Sequence, residues 1–243
     1  MDKIKFFRIL WRLNAIVIFT FCLLIIFIFV KEGLLGKTTS YQNSVYLPDG
    51  EENNVKQEQW DLGELSKLND TGLFIAPLRF EQTFSIGFSK EKHTSTIRNY
   101  LFVNTKTNNS SWLFENNDFV IETRKYIEKD GTLTSCSSQN KELIALYFTV
   151  FKQDTNQDNA IKRNDLMSIA LTKPDGSERT EIETDITKVQ SVDVTDNGQT
   201  LVLFYVKNDK TYVSTYSLAT FKKLETIEIY TNYSMSQCLA KFS

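Results

Sequence analysis

Residues 15–30 form sixteen consecutive positions in which only Thr20 and Cys22 are even weakly polar, and no other stretch of the chain matches them. At 1.5 Å per residue a helix over this run covers about 24 Å. Leu10, Trp11 and Leu13 upstream extend it towards the roughly 30 Å hydrocarbon thickness of a bilayer. The run therefore predicts a single transmembrane helix over residues 13–30. Lys3, Lys5, Arg8 and Arg12 precede it, against Lys31 and Lys37 after it. The positive-inside bias then keeps residues 1–12 in the cytoplasm and carries the rest of the chain out of it. The expected location is the cell membrane, single-pass, with the C-terminal domain periplasmic or extracellular.

A cleaved signal peptide is the competing reading, because its apolar region is followed by small residues at the cleavage site. Here Phe27, Ile28, Phe29, Val30, Lys31 and Glu32 stand in that place, and their bulk favours a retained anchor. Cys22 follows Phe19, Thr20 and Phe21 instead of the small residues that precede a lipidated cysteine, so it reads as a small apolar thiol within the helix. Residues 31–59 turn polar, with Thr38, Thr39, Ser40, Asn43, Asn53 and Asn54, and read as a tether. The exported domain is expected over residues 60–243.

Charge narrows the partners. The whole chain has 28 basic and 30 acidic side chains, which excludes a strongly basic nucleic-acid binder. Beyond residue 30 there are 24 basic and 29 acidic residues, so a polybasic lipid-binding surface is not expected either. The 18 Phe and 10 Tyr supply a core, and only 3 Pro and 9 Gly exclude collagen-like and low-complexity classes.

From Gly72 onward, short runs rich in Val, Ile, Phe, Tyr and Thr alternate with turn residues, and no helical stripe of useful length competes. The predicted class is all-β and antiparallel. Strands are expected at 84–88, 100–104, 111–114, 143–151, 166–171, 190–194, 200–206, 211–217 and 224–229. Only residues 61–68 read as a short helix, from the spacing of Leu62, Leu65 and Leu68.

Segments 100–114, 168–182 and 214–227 each read as strand, polar turn, strand, which gives a weak internal repeat of about 45 residues. The last unit is complete. It runs from Ser191 to Val206, turns at Asn208 and Asp209, and ends in an outer strand. Its turn Asp196-Asn197-Gly198-Gln199-Thr200-Leu201, leading into an apolar strand, resembles blades of Tol-system and WD-repeat β-propellers. The resemblance covers about 150 residues, and it implies four antiparallel strands per blade around a central axis. No Trp-Asp signature accompanies it. Three blades fit where closure needs four or more. A divergent fourth blade from residues 72–80 with a strand near Tyr230, an open stack or β-sandwich, and completion by a two-fold partner are the alternatives.

One loop carries a ligand-like pattern. Asp154, Asn156 and Asp158 occupy positions 1, 3 and 5, Ala160 the carbonyl position 7, Ile161 position 8, and Asp165 position 12. This spacing resembles EF-hand and dockerin calcium loops, which converge hard oxygens on one cation. It departs from them in having Asn159 at position 6 and the shorter Asp165 in place of Glu. A structural calcium ion is the expected cofactor, and a metal-free Asn/Asp-rich loop is the alternative.

Cys136 and Cys238, both beyond the anchor, are either a disulfide or two free thiols. Asn69, Asn108, Asn109 and Asn232 fit the glycosylation sequon. The lone histidine, His93, lies in a charged stretch and reads as a surface loop residue, and no Gly-rich phosphate loop is present. Glu122, Asp193 and Asp196 are the acids that could serve an envelope-polymer hydrolase if the fold gathered them. Trp60, Trp112, Tyr205, Tyr212 and Tyr216 read as core and cross-strand pairs. The function favoured by these residues is non-enzymatic. It is an anchored extracytoplasmic module for interaction, assembly or sensing in the cell envelope, with an unidentified protein partner, and the hydrolase stands as the alternative.

Overall fold

The computed structural model describes residues 3–34, 44–46, 55–68, 72–86, 90–136, 141–195 and 198–230. The chain divides into two units, Met1–Ser40 and Tyr41–Ser243. In the first, α1 (Lys3–Leu34) is one 32-residue helix. A segment this apolar keeps its backbone polar groups paired by folding as a helix, and Thr20 directs its hydroxyl back to the carbonyls of Ile16 and Val17, both at 2.9 Å. The described large apolar side chains between Ile16 and Phe27 are exposed, Phe19 at 65% and Phe27 at 67%. Among the described residues no helix is long and apolar enough to cross a membrane. Side chains are described over 11–27 without Leu13, so the span expected over 13–30 lies partly outside them.

The second unit is all-β and antiparallel, in three four-stranded meanders that follow one another along the chain. The first comprises β3 (Ser66–Leu68), β4 (Leu73–Ile86), β5 (Lys90–Asn104) and β6 (Asn109–Trp112). β4 and β5 continue past it as a long hairpin, whose outer half is lined by β2 (Val55–Leu62). The second meander comprises β7 (Val120–Glu128), β9 (Leu143–Phe151), β11 (Met167–Thr172) and β12 (Thr180–Ile186), with β8 (Leu133–Thr134) beside β7. A single pair, Ile97 opposite Ile121, joins these two meanders into one ten-stranded sheet. β13 (Lys188–Thr195), β14 (Thr200–Lys207), β15 (Lys210–Ser217) and β16 (Lys223–Ile229) form the third meander as a separate sheet. β1 (Ser44–Tyr46) pairs with β10 (Ala160–Lys162).

Period-2 alternation explains the packing. In β9 nearly every residue is buried, because both faces of the second meander are covered. One face meets the first meander through Ile75, Tyr100, Phe102, Tyr126, Leu146 and Phe148. The other meets the third through Tyr147, Ile169, Leu171, Leu201, Leu203 and Tyr216.

Two turn glycines set how closely the meanders approach. A Cβ on Gly176, in the β11–β12 turn, would sit 2.6 Å from the Phe102 ring of the first meander. Gly198, in the turn before β14, has φ +85°, and a Cβ there would lie 2.4 Å from the carbonyl oxygen of Lys129 in the second meander. Gly198, from the turn singled out in the sequence, is thus also a docking point between the meanders.

A polar node ties the third meander to the second. Glu183 on β12, 7% exposed, accepts hydrogen bonds from the hydroxyls of Tyr205 (3.1 Å) and Tyr216 (2.5 Å) and pairs with Lys223. Burial pushes its carboxyl up, but the Lys223 ammonium and the tyrosine hydroxyls outweigh that and hold it below the usual range. Burial and the neighbouring carboxylate push the Tyr205 phenol up to about 12. Ser214 extends the node by bonding both Tyr205 (3.1 Å) and Thr226 (2.8 Å).

The structure corrects several expectations. Residues 61–68 are not a helix but the end of β2 and the short strand β3, and Leu62 and Leu65 are exposed while Leu68 is buried. Pairing to β4 satisfies their backbone, and only one of the three leucines finds a core. The tether expected over 31–59 contains β1 and the start of β2. Among the described residues, 72–80 pair with β3, β5 and β2, and Tyr230 lies outside any strand. Strands β9, β11 and β13 to β16 fall where they were expected, within about two residues.

Two outcomes follow. Gly198→Ala introduces a Cβ at positive φ against backbone, so it is expected to destabilise the chain by about 1–3 kcal/mol, read from the urea midpoint by tryptophan fluorescence. Glu183 has a depressed pKa, so its contribution is present above the unfolded carboxyl pKa and is lost as pH falls through the folded one. Glu183→Gln should therefore flatten the loss of stability on acidification. Glu183→Ala should cost about 2–4 kcal/mol at neutral pH by leaving Lys223 and two buried hydroxyls without their acceptor.

Candidate functional site

The oxygen-rich loop between β9 and β10 is the site the sequence pointed to, and it folds around its own backbone. Asp154 accepts from the amides of Asp158 (3.2 Å) and Asn159 (2.8 Å), and Asn156 accepts from Asp158 (3.0 Å). Gln157 and Asn159 both take φ of 61°, which bends the chain around these side-chain oxygens. Asp158 pairs with Lys162 at 2.7 Å, and the hydrogen bond from that ammonium lowers its pKa. Ala160 opens β10 and is buried.

Asp165 plays a different part from the one expected. It is 1% exposed, and one carboxylate oxygen accepts from the Thr155 amide (2.7 Å), the Thr155 hydroxyl (3.1 Å) and the Asn156 amide (3.3 Å). The other accepts from the Lys162 amide at 2.9 Å. With four donors on it, this carboxylate closes the loop from within. Asp154 and Asn156 share the Asp158 amide as donor. Among the described residues no group of three or more His, Cys, Asp or Glu could hold a metal ion.

Of the acids considered for hydrolysis, Glu122 and Asp193 stand on strands of different sheets. Glu122 on β7 is held by Arg163. Asp193 lies in the separate third sheet and bonds the amide of Val194 at 2.8 Å. Asp196 lies outside the described residues. His93 is a surface strand residue in β5, not a loop residue, and its Nδ1 meets the Thr83 hydroxyl at 3.0 Å. Cys136 is a free, exposed cysteine, and Cys238 lies outside the described residues. Asn69 and Asn232 also lie outside them, while Asn108 and Asn109 shape the β5–β6 turn. Trp60 pairs across strands with Phe80 at 4.6 Å and Tyr205 stacks on Tyr212 at 5.6 Å, as expected, whereas Trp112 is exposed instead of buried.

Two open clefts lie where the meanders meet. A cleft of about 650 Å³ between the second and third meanders includes Ile144, Gln199, Ser217 and Leu224. Another of about 470 Å³ between the first and second includes Leu73, Asn104, Asp175 and Glu178. Leu143 and Lys173 line both. Lys173 is spent internally, since its ammonium bonds the Ala219 carbonyl at 3.1 Å and lies 4.8 Å over the Phe221 ring. Sequence reasoning missed Lys173 and Glu183. Neither has a local signal, because each is defined by a neighbour from another sheet.

No family model matches the chain, and no curated protein matches it. Among solved structures it is similar to the β-propeller domain of the Trilobed protease from Pyrococcus furiosus, which has an open velcro topology. That match has 11% identity and a TM-score of 0.33, over 74% of this chain and 46% of that one. It is also similar to a luciferin-regenerating enzyme, at 8% identity and a TM-score of 0.33, over 77% of this chain and 64% of that one. A chain of a nidogen/laminin complex matches at 10% identity and a TM-score of 0.25. The chain spans less than two thirds of the length of the first two. At these scores the likenesses say nothing about activity, and the all-β, antiparallel class stands on the strands themselves.

Proposed function

We propose that this chain is a membrane-anchored β domain that acts outside the cytoplasm as an interaction, assembly or sensing accessory of the cell envelope. The observation that carries this reading is α1, whose described large apolar side chains from Ile16 to Phe27 are exposed on all sides of the helix. Water disfavours such a surface and hydrocarbon accepts it. With Ile28, Phe29 and Val30 the apolar run approaches spanning length, and Lys3, Lys5, Arg8 and Arg12 support a cytoplasmic N-terminal end. A propeller-like arrangement of the β domain belongs to the same reading, supported by three successive four-stranded meanders. The separation of Glu122 and Asp193 into different sheets favours interaction over hydrolysis.

Calcium enters this proposal as a structural ion held by Asp154, Asn156, Asp158 and the Ala160 carbonyl, with water completing its shell. The left-handed turns at Gln157 and Asn159 support it by converging the side chains. Asp165 then acts as an internal brace in place of the position-12 ligand.

Full-length chain expressed in its host is expected to stay in the membrane pellet through alkaline carbonate washing, with the C-terminus protected from cytoplasmic protease. Release into the wash, or a mature chain lacking its first 30 residues, would overturn the anchor. Calcium added to the purified chain is expected to raise its melting temperature, and Asp154→Ala should abolish that rise. An unchanged melting curve in the presence of calcium or chelator would remove the ion. Asp165→Ala should destabilise the chain with or without calcium.

A further inference from the structure

A stack of sheet repeats normally ends in polar outer faces, since the end units have no further neighbour to cover them. Here both ends carry apolar rows among polar residues. Strand register places Lys188, Val206, Thr211 and Ile229 in one row on the outer face of the third meander, and Ser191, Phe204, Val213 and Ile227 in the next. A third row holds Asp193, Val202, Thr215 and Glu225. Ile227 is 51% exposed. The opposite face of this sheet, with Leu201, Leu203 and Tyr216, is the one packed on the second meander.

The first meander has a matching outer face. Lys67, Phe74, Val103 and Ser110 form one row, the buried Ala76 with Leu101 and Trp112 the next, and Leu62, Leu78 and the buried Asn99 the third. Trp112 is 46% exposed. Its buried counterpart, with Ile75 and Phe102, is packed on the second meander. The two ends therefore repeat, outward, the apolar chemistry that joins the meanders inside the chain.

We propose that the outer face of the third meander packs on the outer face of the first meander in a second copy of this chain. The reciprocal contact closes a two-fold ring of six meanders. This deepens the interaction reading by naming the partner.

Three arguments select a second copy. The first is charge: the first-meander face carries Lys67, whereas the third-meander face carries Asp193 and Glu225 against Lys188, so the two ends differ in the sign of their net charge. The second is area. Four strands about 4.8 Å apart and three rows about 6.8 Å apart give each face about 19 by 20 Å. The two contacts of a ring, counted on both sides, cover about 1,500 Å², which lies in the range of a stable protein interface. The third is closure. A heterologous contact between two ends of one chain forms either a ring or a fibre, and a two-fold axis gives the commonest closed form.

The test uses the full chain in detergent micelles, with mass measured by light scattering and folding followed by circular dichroism. A protein mass of two chains is expected. Phe204→Asp with Ile227→Asp should weaken the dimer by more than about tenfold, and Trp112→Asp with Val103→Asp should do the same. Asp193→Lys with Glu225→Lys should weaken it too, and adding Lys67→Glu should restore it. A monomer at every concentration, a ladder of higher masses, or a dimer indifferent to all these substitutions would overturn the ring. A monomer that becomes a dimer only when residues 231–243 are removed would overturn it as well, by making the chain's own C-terminal segment the cover. A monomer that nevertheless binds another envelope protein through these faces would overturn the second copy and leave the interaction reading standing.

Discussion

A four-stranded sheet with two apolar faces is stable only when both are covered, and among the described residues the second meander is packed on both of its faces. Tyr126, Leu146 and Phe148 face the first meander, and Tyr147, Ile169 and Leu171 face the third. The alternation along β9 assigns successive residues to opposite cores, so one strand contributes to both. Removing either neighbour would expose half of the second meander, and for that reason the three sheets stand or fall together.

Apolar area alone does not fix the angle or register of one sheet on another. Directional contacts do that. Gly176 lets its turn lie on the Phe102 ring, and Gly198 lets its turn touch the backbone at Lys129. Glu183 gathers Tyr205, Tyr216 and Lys223 from three different strands of the third meander. Such a node contributes little net stability once desolvation is counted, yet an incorrect docking would strand a buried carboxylate. Its role is to make the wrong arrangements costly.

In the oxygen-rich loop the side chains answer to the backbone. Asp154 and Asn156 turn onto the amides of Asp158 and Asn159, as short polar side chains in a turn do. Asp165, itself buried, accepts hydrogen bonds from the amides of Thr155, Asn156 and Lys162. The backbone's demand for an acceptor decided its role, and spacing in the sequence carries no record of that demand.

Local signals determined a good deal. The apolar run marked α1, β-rich runs marked β9, β11 and the whole third meander, and Asn208 and Asp209 marked a tight hairpin whose φ values of 50° and 59° they tolerate. These features depend on residues within a few positions of each other. The first half of β5 was hidden, because Lys90, Glu91, Lys92 and His93 look like a loop until β4 supplies hydrogen bonds along their full length. β2 and β3 were misread for the same reason, since strand pairing overrode the helical spacing of three leucines. Glu183, Lys173 and the two outer apolar faces could be assigned only by tertiary structure. Each is defined by which sheet lies opposite, and that contact joins residues dozens of positions apart whose sequence contexts are individually ordinary.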